Sequence, residues 1–177
     1  MRGSPVSLFK WMRCGMPGIL ITRTAVVSGL SLLLLTGCGA RIPSDPDGTL
    51  DRANGGTLRV GVTENGTWVD VREGGDPVGI EPELVKSFAS TLDADVAWSS
   101  GSEEALVGDL ENGDLDLIIG GLTSDTPWSD QAGTTRPYKE STDEQGATVE
   151  HVMLVPRGEN LFLFELDTFL LSSDDPK

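Results

Sequence analysis

Few side chains in this sequence could do covalent or metal chemistry. Among 177 residues there are two cysteines, Cys14 and Cys38, and one histidine, His151. That inventory cannot assemble a zinc, haem or iron–sulfur centre, so no metal or cofactor is expected. A Ser–His–Asp or Cys–His nucleophile would have to use His151, and nothing near it in the sequence supports one. Glu103 and Glu104 stand together, but at a helix start, where carboxylates answer the helix dipole instead of forming an acid–base couple. These residues argue against an enzyme. Recognition chemistry remains. Gly120-Gly121 has no side chains, so backbone N–H groups there can approach a ligand, with Leu122, Thr123 and Ser124 following. Thr126-Pro127 reads as an N-cap and a first helical residue, which aims a helix N-terminus at the same place. Glu64 and Asn65 are turn residues that could add polar contacts.

Charge narrows the partners. Lys plus Arg number 13 against 28 Asp plus Glu, a formal net charge of −15, which excludes a nucleic-acid surface. The N-terminus is the exception: Arg2, Lys10, Arg13 and Arg23 precede an apolar run over residues 24–36, and no acid appears before Asp45. A basic stretch followed by a short apolar one is a secretory signal, too short to span a bilayer. It ends Leu35-Thr36-Gly37-Cys38, which resembles the bacterial lipoprotein signal. That resemblance implies lipidation of Cys38 and an extracytoplasmic protein held to the cell membrane or the outer membrane by its anchor. Residues 1–37 are thus expected to be signal. Residues 38–56, rich in Gly, Pro and Asp, are expected to be a flexible tether.

Residues 57–177 must supply the domain. TLRVGV (57–62) is a strand candidate, followed by a short strand at 68–71 and a hairpin turn at Gly74-Gly75. Residues 81–92 form a helix with Pro82 in its first turn and an apolar stripe at Leu84, Val85, Phe88 and Leu92. A strand at 94–98, a second helix over 105–110 capped by Ser102, and the apolar strand LDLII (115–119) follow. Residues 139–149 read as polar loop, 151–155 as a strand and 159–171 as a final apolar helix. Strands alternating with helices predict an α/β domain with a mostly parallel sheet. Its ligands belong beyond the strand C-termini, at residues 63–68, 99–102 and 120–126.

LRVGVTENGTWV, DPVGIEPELVKSFASTL and EEALVGDLENGDLDLIIGGLT resemble, in order and spacing, the first lobe of bacterial family-3 extracellular solute-binding proteins. The resemblance implies a single lobe of a type 2 periplasmic-binding-protein fold. It also implies the function of a substrate-binding component of an ABC importer for small polar solutes such as amino acids. Trp68 then falls where the family places a ring against the ligand. Two departures stand out. The family's carboxylate-clamping arginine falls at Trp128, leaving Arg136 as the nearby guanidinium that could stand in. Only 39 residues follow Tyr138, which leaves no room for a second lobe. The expected ligand contacts are Asn65, Trp68, Gly121, Leu122, Thr123, Trp128 and Arg136. Binding is expected to be weak, or to need an ABC permease or a separate protein supplying the second wall. The competing readings are an interaction or sensor module, and a truncated remnant without ligand.

Overall fold

The computed structural model describes residues 44–143 and 145–173. The expected signal, with Cys14 and Cys38, lies outside the described residues. In chain order the elements are α1 (Thr49–Ala53), β1 (Thr57–Val62), α2 (Ile80–Thr91), β2 (Asp95–Ser100) and α3 (Glu103–Glu111). There follow β3 (Leu117–Ile119), a 3-10 turn (Pro127–Asp130), β4 (Gly133–Thr134), β5 (Lys139–Thr142), β6 (Thr148–His151), β7 (Leu154–Val155) and α4 (Asn160–Ser173). Five strands form one sheet in the order β2-β1-β3-β7-β4, and β5–β6 forms a separate hairpin. β2, β1 and β3 run parallel, while β7 is antiparallel to both β3 and β4.

The period of two along the strands divides the core. Leu58, Val60 and Val62 of β1, with Leu117 and Ile119 of β3, face α2 and α4, where Phe88, Phe162, Leu166 and Leu170 cover them. Ile118, between Leu117 and Ile119, faces the other way with Leu154, against Leu106, Val107 and Leu110 of α3. Both sheet faces are therefore covered, as a parallel sheet requires. Ser102 caps α3 as expected, its Oγ accepting from the Ala105 N–H at 3.4 Å.

Several expectations are corrected. Residues 68–71 make no strand; they hold isolated pairings of Asn65 with Val69 and Asp70 with Val78. The Trp68 carbonyl is engaged instead by the Glu81 N–H at 3.2 Å, which draws the segment onto the start of α2. Residues 139–149 are not loop but the β5–β6 hairpin, and the strand foreseen at 151–155 is broken. The break comes at Val152, whose N–H turns to the Leu122 carbonyl, and at Met153, whose N–H turns to Thr135 Oγ1. The tether is corrected over residues 44–56, which fold onto the domain. Gly48, at φ 67, opens α1, and Thr49 and Ala53 are buried. The Glu159 carboxylate accepts from the N–H groups of Asp47 (3.0 Å) and Thr49 (2.9 Å), and Asp45 Oδ2 accepts from the Leu50 N–H at 2.7 Å. Arg52 reaches Asp116, which also takes Arg59 of β1. The composition that suggests a linker is here the composition of a capped helical turn.

Candidate functional site

β1 and β3 end side by side, and the loops leaving them are fastened by one buried acid. Glu81, in the first turn of α2, is fully buried. Its Oε2 accepts from the backbone N–H groups of Gly120 (2.8 Å) and Gly121 (2.9 Å), and its Oε1 accepts from the Tyr138 hydroxyl. Burial pushes the Glu81 carboxyl up, against the pull of those three donors. Burial, and then the Glu81 charge, push the Tyr138 phenol up as well. The two N–H groups that the sequence assigned to a ligand are thus already occupied. The glycines are needed for close approach. A Cβ on Gly120 would stand 2.0 Å from Thr63 Cγ2, and one on Gly121 would stand 2.5 Å from Asn65 Nδ2 and 2.8 Å from Trp68 Cδ1.

Asn65 Nδ2 donates to the Gly120 carbonyl at 2.7 Å, so Asn65, Trp68 and Gly121 come together as the sequence suggests. The half-buried Trp68 ring meets Tyr138 edge-on, centroids 6.4 Å apart, and His151 at 3.8 Å with a 32° tilt. His151 is only 4% exposed. Its Nε2 lies 2.7 Å from Ser141 Oγ, while Nδ1 is buried with no hydrogen-bond partner among the described residues. Burial pushes its imidazole down. A serine hydroxyl on an imidazole is half of an acyl-transfer pair, but no carboxylate meets Nδ1 to orient the ring. Thr123 pairs with His151 through the backbone, and its hydroxyl donates to Asp125. Leu122 is buried on the α3 side.

The other two expected contacts are engaged elsewhere. Trp128 packs against the α3-side core, and its indole N–H donates to Glu103 Oε2 at 2.9 Å. Arg136 leaves most of its side chain in solvent and pairs with Asp167 of α4, its own N–H donating to Asp167 Oδ1 at 2.9 Å. Among the described residues no group of three His, Cys, Asp or Glu could hold a metal ion, and no helix is long and apolar enough to cross a membrane.

Residues 58–172 match the model of bacterial extracellular solute-binding proteins, family 3. The chain belongs to that family. No curated protein matches it. Among solved structures it is similar to the arginine-bound form of domain 1 from TmArgBP. There the TM-score is 0.60 at 21% identity, over 69% of this chain and 97% of that one. It is similar also to an ancestral cationic amino acid solute-binding protein, AncCDT-1, at TM-score 0.61 and 14% identity, over 70% and 93% of the two chains. A third is the periplasmic binding protein STM4351 of Salmonella typhimurium, described as having high arginine specificity. Its TM-score is 0.58 at 10% identity, over 67% and 93%. At these identities the likeness establishes the fold, an α/β periplasmic-binding-protein lobe. All three are described as binding proteins, and AncCDT-1 also as a precursor of cyclohexadienyl dehydratase.

In this family member the residues that sequence reasoning missed are Glu81, Tyr138 and His151. The signal for Glu81 was weak: an acid between Ile80 and Pro82 in the first turn is also what the helix dipole alone favours. His151 offered only its uniqueness.

Proposed function

We propose that this chain is a membrane-tethered, extracytoplasmic solute-binding module for small polar solutes such as amino acids, serving an ABC importer. Its anchor is Cys38, and its permease or a separate second-wall protein completes the site. The observation behind this reading is the Trp68 indole held at the C-terminal ends of β1 and β3 by Asn65, Gly121 and the Glu81 fastening. Ligands of parallel sheets bind at this end, and an aromatic ring there gives a solute side chain a surface to stack on. The arginine named for TmArgBP and STM4351 makes L-arginine the first probe. A two-walled cleft holding its solute at about −8 kcal/mol would leave one wall with about half of that, which is millimolar. Titration with a panel of L-amino acids, followed by NMR, tests the reading. Shifts at Trp68, Gly121 and Thr123 that Trp68→Ala abolishes are expected. Shifts confined to the opposite end of the sheet would overturn it. For the anchor, Cys38→Ser should abolish labelling by a palmitate analogue.

A second reading rests on α4, where Phe164 and Leu171 are 54% and 48% exposed. Two large apolar side chains on one outer helix favour an interaction module. Concentration-dependent sedimentation lost in Phe164→Ser would support it.

A further inference from the structure

We propose that His151 is a plug built into this site: its imidazole covers the face of Trp68 on which a solute would stack, and solute or proton must displace it before the site opens. The inference concerns regulation of the same site and rests on the solute-binding reading above. The ring centroids are 3.8 Å apart, and His151 is 4% exposed, so the imidazole is itself packed away from solvent beside the indole. His151 does not arrive from the loops that build the site. It closes the β5–β6 hairpin, opposite Lys139 in the register, and is latched by Ser141 Oγ from the partner strand.

The latch is one-sided. Nε2 has its serine, but Nδ1 is buried without a partner, a standing penalty that disappears once the ring swings into water. Stack and latch favour the closed form, and the orphaned nitrogen opposes it, so the plug is poised rather than locked.

A proton should release it. No charged side chain among the described residues is arranged to pair with an imidazolium. Lys139, the hairpin partner, is itself cationic, and Glu140 and Glu150 pair with each other across the hairpin and are exposed. Asp125 is engaged by the Thr123 hydroxyl, and Glu81 is filled by Gly120, Gly121 and Tyr138. Burial already holds the ring below the usual imidazole range, with the Gly121 and Leu122 backbone pulling the other way. The sign follows. The open form accepts a proton more readily than the closed form, so closure is complete above the ordinary imidazole value and is lost as pH falls through the lowered one.

Because His151 is the chain's one histidine, its C2–H resonance is read without ambiguity in the full-length protein. At neutral pH that resonance should lie upfield through the Trp68 ring current, and Trp68→Leu should remove the displacement. On acidification it should titrate below a free imidazole and lose the displacement as it does so. L-arginine at neutral pH should move it the same way, and His151→Ala should bind L-arginine about ten-fold more tightly than the parent. An undisplaced resonance titrating like free imidazole would overturn the plug. So would Trp68 shifts on adding L-arginine while His151 stays still, or equal binding by parent and His151→Ala. If no probe binds either protein, the solute-binding reading fails, and the plug is decided by the proton titration, which needs no variant.

Discussion

At the scale of single residues, the site depends on one carboxyl group that touches no solute. Glu81 satisfies three donors, so Glu81→Ala would strand Gly120 N–H, Gly121 N–H and the Tyr138 hydroxyl in a buried space. At about 1–3 kcal/mol for each buried unsatisfied group, urea unfolding should show a loss of about 3 kcal/mol or more. Tyr138→Phe removes one donor and keeps the ring, so about 1 kcal/mol is expected. Burial raises the Glu81 carboxyl above its usual range, so the folded chain keeps its proton where the unfolded chain has released it. This contribution is present below the ordinary carboxylate value and is lost as pH rises through the raised one. Glu81→Gln retains an acceptor for the glycine N–H groups and should flatten that decline, measured as stability against pH from about 4 to 8. Asn65 and Gly121 stood out by type, as turn residues and a glycine pair do, whereas Trp68 stood out only through the family resemblance. Glu81 and His151 did not, because a polar residue becomes buried only through partners that are distant in sequence. The Gly120 N–H that fills Glu81 lies 39 residues away.

Elements were legible wherever they bury one face. The stripe of α2 and the unbroken apolar run of β3 announce themselves, and Ser102 marks the start of α3. β5 and β6 do not, since most of their residues are exposed and no apolar alternation survives. Residues 44–56 failed for another reason: Asp45, Asp47 and Gly48 serve equally in linkers and in helix caps, and only the partner Glu159 decides between them. That carboxylate is held below its usual range because the Asp47 and Thr49 N–H groups outweigh its burial. Burial, reinforced by Glu159, pushes neighbouring Asp45 up. Glu159→Ala should therefore speed amide exchange at Asp47 and Thr49 and destabilise the domain by about 1–3 kcal/mol. Along α4 the contrast is between faces. Phe162→Ala, at a fully buried position, should cost about 3–5 kcal/mol, while Phe164→Ala, more than half exposed, should change the melting midpoint little.

At the scale of the whole molecule, a sheet covered on both faces leaves its solute site to the rim, and the rim is acidic. Trp128 illustrates the consequence. Its indole donates to Glu103, so an arginine placed there would find that carboxylate before any ligand's. Trp128→Arg is therefore expected to leave amino-acid affinity within about two-fold of the parent by NMR titration, rather than restore a clamp. The lobe-like fold and its rim were readable from strand and helix order. The self-covering of Trp68 was not, because it depends on a hairpin whose sequence resembles a loop. That hairpin is also a port. Thr142 and Thr148 face each other beside its turn, so the chain leaves and re-enters the ladder at neighbouring points. A guest protein whose own termini lie close together could be spliced in between without stretching either strand. Because His151 closes the other end of the same ladder, strain from such a guest would be felt at the Trp68 stack, making the splice point a place to wire a fluorescent reporter to solute capture.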